Sequence, residues 1–253
     1  MSICVLTQAR QNSTRLPYKI LKNINKLHNS ITLLNKRLSF SQNIDNNIFI
    51  VPETDYILID FLREKNINYE IGSESDLISR HLNIAYKLNI KTIIRITSDC
   101  PLVDFRVLDQ AIELFKKTKY KEDFIYISNH TPPEKSDFPN GSDIEIFSTN
   151  CLTYIDHNYK DKRDREHVTF PMWDGREKEK IKHIKLNRKV RPNDIDKIRI
   201  TLDNPEDLIV FQKLSNHLDL ESCSLEEIEQ VYSKLSLYTI NGKFGSRDGW
   251  LNE

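Results

Sequence analysis

Short apolar runs alternate with stretches of helical spacing through the first half of the chain, and this pattern restricts it to one fold class. Ile3–Thr7 (ICVLT), Asn47–Val51 (NIFIV), Asn68–Ile71, Thr92–Ile96 (TIIRI) and Phe124–Ile127 read as strands. Between them, Ser30–Phe40, Thr54–Lys65, Asp76–Leu88 and Val107–Phe115 carry apolar residues three or four apart, as on one face of a helix. This is the rhythm of a parallel sheet covered on both faces, an α/β fold. After Ser128 it breaks. Residues 129–141 (NHTPPEKSDFPNG) are rich in Pro, Asn and charge and predict a loop or flap. Asp143–Phe147, Lys182–Leu186 and Ile198–Leu202 read as strands, and Asp164–Pro171 as a helix or arm. Asn204–Leu214 and Leu225–Leu235 read as helices, the second opened by a capping box of Ser224 and Glu227. The tail from Tyr238 reads as loop. Without a repeat or a low-complexity linker, residues 1–253 are expected to form a single domain with a β-rich insertion at about 129–190.

Composition narrows the function. The chain has 37 basic and 37 acidic residues, so it lacks the basic excess that a general nucleic-acid binder needs. No apolar run reaches the roughly 18 residues of a membrane span, and Met1–Arg10 is too short and polar for a signal peptide. No membrane insertion and a cytoplasmic location are the expectations. Cys4, Cys100, Cys151 and Cys223 form no CxxC pair, which argues against zinc or a redox dithiol. There are only 6 glycines, and none precedes Gly72. The first strand–loop–helix unit therefore carries neither GxGxxG nor GxxxxGK[ST], and side chains must do there what glycine amides do elsewhere.

Six segments carry candidate chemistry. Gln8–Lys19 (QARQNSTRLPYK) follows the first strand, where open α/β sheets bind ligands. Its Arg10, Arg15 and Lys19, with the hydroxyls of Ser13 and Thr14, can cradle a triphosphate, although on spacing alone a solvated basic loop is the favoured reading. In Arg95–Asp104 (RITSDCPLVD), Asp99 stands just past a strand, where a carboxylate can share Mg²⁺ with substrate phosphates or start a turn. Arg199–Leu208 (RITLDNPEDL) repeats the form Arg-Ile-Thr-x-Asp-x-Pro around Asp203, which reads either as a helix start or as a second metal-facing carboxylate. In Pro139–Phe147 (PNGSDIEIF), Asp143 and Glu145 alternate with isoleucines. Period two then places both acids on one strand face, exposed to solvent or to a polyol or amine. Arg165, Glu166 and His167 (in REHVT) are adjacent and read as an anion or proton-transfer site, or as an exposed helix. Ile71–Arg80 (IGSESDLISR) sets Gly72 and Ser73 before a helix, to meet a base or ribose or simply to cap.

These segments, in this order, resemble the spore-coat polysaccharide biosynthesis F-type cytidylyltransferases and, more distantly, CMP-KDO synthetases and acylneuraminate cytidylyltransferases. The resemblance spans about residues 1–215. It implies a Rossmann-like nucleotidyltransferase fold, Mg²⁺ dependence, CTP as donor, a sugar, sugar acid or phosphorylated metabolite as acceptor, and a homodimer. Carried onto this chain, it places Arg10, Ser13, Arg15 and Lys19 on the triphosphate, with Gln8, Ala9 and Thr14 in the same loop. Gly72, Ser73, Asp76, Arg80, Thr97 and Ser98 complete the nucleotide site. Asp99 and Asp203 hold the metal, and Arg15 and Lys19 act with them in catalysis. Gly141, Asp143, Glu145, Arg165, Glu166 and His167 fall on the acceptor side, and residues 129–190 form the acceptor or dimer arm. Two departures stand out: relatives usually have Gly at position 12 and before the Lys, whereas this chain has Asn12 and Tyr18. The implied reaction releases pyrophosphate as the acceptor oxygen attacks the α-phosphorus. A sugar-nucleotide glycosyltransferase would release nucleoside diphosphate instead, and a decayed nucleotide-binding protein would release neither.

Overall fold

Strand β1 (Ile3–Gln8) is buried along nearly its whole length, as a strand between two helical layers must be. The computed structural model describes residues 2–119, 124–133 and 136–244. β1 pairs in parallel with β2 (Asn46–Pro52) on one side and β4 (Thr92–Thr97) on the other, and β2 carries β3 (Tyr69–Gly72) at the edge. Beyond β4, the strand β6 (Glu145–Ser148) runs antiparallel between β4 and β5 (Ile125–Ser128), and β7 (Lys182–Lys185) closes the far edge parallel to β5. The seven-stranded order is β3-β2-β1-β4-β6-β5-β7, mixed α/β and mostly parallel.

Alternation along the strands feeds two cores. Ile3, Val5, Ile94, Ile96 and Ile146 face the layer that includes α1 (Ser30–Leu38), α4 (Phe105–Lys119), α8 (Pro205–Ser215) and α9 (Leu225–Lys234). Cys4, Leu6, Ile93, Tyr126 and Phe147 face α3 (Leu77–Lys87) and α5 (Thr149–Asn158). A third cluster joins α2 (Tyr56–Glu64) to Phe49 and Val51 of β2. All four cysteines are buried and unpaired in these interiors. Among the described residues no helix is long and apolar enough to cross a membrane.

Four expectations need correction. The segment 129–190 is not a β-rich insertion: β6 and β7 belong to the central sheet. Among the described residues the remainder holds three α-helices: α5, α6 (Lys162–His167) and α7 (Phe170–Trp173). Helix α5 escapes sequence reading because TNCLTYIDHN is poor in helix formers; Ser148 caps it by accepting from Cys151 N at 3.0 Å, and Cys151, Leu152 and Ile155 bury its inner face. Ile198–Leu202 is extended but, among the described residues, pairs with no strand and makes only a single bridge, between Arg199 and Asn140. Its amides turn to loops, Ile200 N to Asn140 O at 2.8 Å and Leu202 N to Asp99 O at 2.8 Å. The strand expected from Asp143 begins at Glu145, because the Asn129 amide substitutes for a neighbouring strand by bonding Ser142 O and Ile144 N. The tail makes one helical turn, α10 (Tyr238–Asn241), and its expected loop from residue 245 on lies outside the described residues.

Candidate active site

The loop after β1 is pinned at both ends. Ala9 N donates to Ile50 O at 3.1 Å, and Gln11 N donates to the buried Asp55 carboxylate at 2.6 Å. Burial raises the pKa of Asp55 despite that bond. Ser13 Oγ accepts from Leu16 N at 3.4 Å, so this hydroxyl braces the loop. Tyr18 takes left-handed backbone (φ 55) at the position where relatives were expected to have Gly, and a 3₁₀ turn at Lys19–Leu21 follows. Arg10, Thr14 and Arg15 stand exposed along the loop, whereas Lys19 points inward and is buried.

Lys19 joins the two distant carboxylates. Its Nζ lies 2.7 Å from Asp99 Oδ2 and 2.5 Å from Asp203 Oδ1. Arg15 reaches the same Asp203 oxygen at 3.1 Å. The backbone holds the acids together, since Leu202 N donates to Asp99 O. Burial acts to lower the Lys19 pKa, but Asp99 and Asp203 outweigh it and raise the value, so the ammonium persists. Burial likewise acts to raise the Asp99 pKa, and Lys19 overrides it, holding the carboxyl well below the usual carboxylate range. Cys100 beside it is pushed well up by burial and by Asp99, so it is a thiol at neutral pH.

A buried scaffold that sequence reading missed stands behind Asp203. Arg199 donates to Asp203 Oδ2 at 3.0 Å and to Asp207 Oδ1 at 3.1 Å. Asp207 is fully buried and accepts from the amides of Asp203 (2.9 Å) and Asn204 (2.8 Å), while Asn241 of α10 donates to it at 2.9 Å. The capping signal in DNPED is therefore real, and the cap itself aims Asp203 at the site. Gly141 has φ 98, and a Cβ there would stand 2.4 Å from the Ile200 carbonyl carbon. This close approach seats the Pro139–Ser142 turn on the extended segment that leads to Asp203. Gly141 N then donates to Asp143 Oδ2 at 3.0 Å, leaving the Asp143 side chain one-third exposed near Cys100. His130, unsuspected from sequence, lies behind it with Nε2 3.9 Å from Asp143 Oδ1.

Several residues expected at the ligand site also make contacts within the protein. Glu145 does not share a face open to ligand with Asp143. Its register opposite Arg95 makes it the buried partner of that guanidinium, and Tyr126 and Thr169 donate to it as well. Arg95 in turn donates to Gln8 Oε1 at 3.1 Å. Arg165 bridges Asp76 (2.5 Å) and Asp156 (2.6 Å), tying α6 to α3 and α5. Asp76 caps α3 through Ser79 N at 2.9 Å, and Ser73 Oγ accepts from Asp76 N at 3.1 Å. Arg80 is buried and bonds Ser73 O and Glu74 O; burial lowers its pKa to about 10, and Gly72 leaves the space that its stem fills. Ser98 is buried, its amide bonding Gln8 O at 2.9 Å, while Thr97 Oγ1 lies 3.3 Å from Cys100 Sγ. Glu166 and His167 are half-buried on α6. After them Val168 adopts φ 56 and ψ −61, and Thr169 N donates to His167 O, a strained γ-turn that aims Thr169 at Glu145.

A cationic loop after the first strand meets two carboxylates, one past β4 and one past an extended segment, and the whole is set in a sheet shared with known enzymes that transfer nucleotidyl groups. A cytidylyltransferase from Leptospira borgpetersenii serovar Hardjo-bovis superimposes with a TM-score of 0.84 at 29% identity, over 95% of this chain and 98% of that one. CMP:2-keto-3-deoxy-manno-octonic acid synthetase, solved with CTP, shares the fold with a TM-score of 0.61 at 10% identity, over 85% and 99% of the two chains. Fold and site define a nucleotidyltransferase. Among curated proteins, the spore coat polysaccharide biosynthesis protein SpsF of Bacillus subtilis is 26% identical over 233 residues, 88% of this chain and 92% of that protein. An uncharacterized protein of Methanocaldococcus jannaschii is 26% identical over 236 residues, 92% and 91% of the two chains. The cytidylyltransferase family model matches residues 4–243, and the chain belongs to that family.

Proposed function

We propose that this chain transfers CMP from CTP to a sugar, sugar acid or phosphorylated small metabolite, releasing pyrophosphate, with Mg²⁺ as cofactor, in the synthesis of a surface glycan. The observation that carries this reading is the meeting of Lys19, Arg15, Asp99 and Asp203 in one cluster, from three separate stretches of sequence. CTP is supported by the synthetase of the same fold that was solved with CTP, and the glycan pathway by the SpsF relative. A homodimer is proposed on the family resemblance.

The donor set fits a magnesium ion. Mg²⁺ prefers oxygen, is usually held by one or two carboxylates, and completes its shell with water and substrate phosphates. Asp99 and Asp203 are such a pair. When bound, the ion would neutralise charge growing on the phosphate oxygens. The remaining work falls to the chain. Arg10, Arg15 and Lys19 bind and orient the triphosphate, Arg15 by paired bonds and Lys19 as a mobile point charge. Arg199 and Asp207 fix the Asp203 carboxylate. Asp143, one-third exposed while Asp99 is engaged by Lys19, would be the group that takes a proton from an acceptor hydroxyl. An acceptor that attacks through an ionised phosphate would not need it. Catalysis is then positioning plus electrostatics.

A pyrophosphate-release assay with CTP and an acceptor panel tests the reading. Wild type releases pyrophosphate, while Asp99→Asn and Asp203→Asn each lose on the order of 10²–10³ in rate with the fold intact by circular dichroism. Release of nucleoside diphosphate without pyrophosphate, or normal turnover by both variants at limiting Mg²⁺, would overturn it.

A further inference from the structure

Lys19 occupies one oxygen of each carboxylate that would face a divalent ion. Its ammonium bonds Asp99 Oδ2 and Asp203 Oδ1, and the second of these oxygens also takes Arg15. The other Asp203 oxygen is taken by Arg199. Three cations (Arg15, Lys19, Arg199) thus meet three anions (Asp99, Asp203, Asp207), and the cluster is neutral as it stands. A metal bonded to these oxygens at about 2.1 Å would stand within roughly 4 Å of the ammonium, in a buried setting where charges are poorly screened. Among the described residues no group of three or more His, Cys, Asp or Glu offers an alternative seat. The protein by itself therefore presents a divalent ion with two carboxylates that are already compensated.

A triphosphate changes both sides of this balance. It brings acceptor oxygens that compete for Lys19 and Arg15, and it supplies the remaining metal ligands. Lys19 can make the move, because its charge ends a flexible four-carbon stem set on a short 3₁₀ turn. Arg15 is 41% exposed and equally able to turn outward. Arg199 is not, being buried and held by Asp207.

We propose that Lys19 is the resident counter-cation of the Asp99–Asp203 pair and yields it to a divalent ion only when a nucleoside triphosphate draws the ammonium away. Metal and triphosphate then bind synergistically, by exchange of one cation for another. This rests on the nucleotide and metal reading above. The test is Mn²⁺ binding by electron paramagnetic resonance and water-proton relaxation, without turnover. Wild type alone should bind Mn²⁺ weakly, with a Kd in the millimolar range. K19M, with its fold verified by circular dichroism, should bind Mn²⁺ alone at least tenfold more tightly. Wild type with CTP should give the enhanced relaxation of a ternary complex. Equal Mn²⁺ affinity of wild type and K19M overturns the exchange. So does a wild-type Kd below 100 μM without nucleotide, a criterion that stands even if K19M fails to fold. Absence of a ternary complex would defeat the functional reading instead.

Discussion

At the residue scale, burial sets what each ionisable group can do. His81 has no exposed surface, bonds Leu77 O through Nδ1 at 2.7 Å, and burial lowers its pKa to about 3. It is therefore neutral when folded, while the unfolded chain takes up a proton near pH 6.5. Below that pH the unfolded state binds more protons, so stability declines as pH falls toward about 3. Urea midpoints measured from pH 7 to 4 should fall less steeply for His81→Phe than for wild type, and parallel curves would contradict this. Asp99 and Lys19 frame the wider window. The depressed Asp99 pKa contributes stability above the usual carboxylate value of about 4 and loses it as pH falls through the folded value. The raised Lys19 pKa contributes below about 10.4 and is lost as pH climbs through its folded value. Both terms are fully present between roughly pH 4 and 10, and D99N should remove the acid limb that the carboxylate supplies. Asp99 and Asp203 were legible in the sequence because each ends an apolar run. Their mutual cation was not, because Lys19 and Asp203 are far apart in the chain.

At the element scale, helix starts and turns carried the clearest signals. Ser224 and Glu227 form the expected capping box, with Ser224 Oγ accepting from Glu227 N at 3.2 Å. Ser224→Ala should cost about 1 kcal/mol, read as a lowered thermal midpoint. Gly141 shows the opposite case, a residue whose importance appears only in three dimensions. Any side chain there meets both a positive φ and the backbone of Ile200. Gly141→Ala should cost about 1–3 kcal/mol from backbone conformation alone, and it should reduce activity because Asp143 loses its seat. An unchanged thermal midpoint would show that the turn can move aside. Helix α5 was invisible because its Thr, Asn and Cys residues have weak intrinsic preference, and the helix forms through the burial of Leu152 and Ile155.

At the scale of the whole molecule, the strand order decides which side chains meet. Placing β6 antiparallel between β4 and β5 puts Glu145 opposite both Arg95 and Ser128. A polar row then crosses the sheet, from Gln8 through Arg95 and Glu145 to Tyr126. Glu145→Ala would leave Arg95 buried without its anion, which costs on the order of 3–5 kcal/mol when such a pair is broken. The expected outcome is a large loss in urea midpoint, and a small one would mean that water reaches Arg95. By itself the sequence determined the α/β rhythm, the cationic loop and the two aspartates that each follow an apolar run, because hydrophobic period, turn chemistry and charge are local properties. Only the tertiary structure decided that Glu145 pairs with Arg95, that Arg165 ties α6 to α3 and α5, and that Lys19 closes the carboxylate pair. Partnership between residues far apart in sequence depends on sheet order and on burial, and neither is written in any short window of the chain.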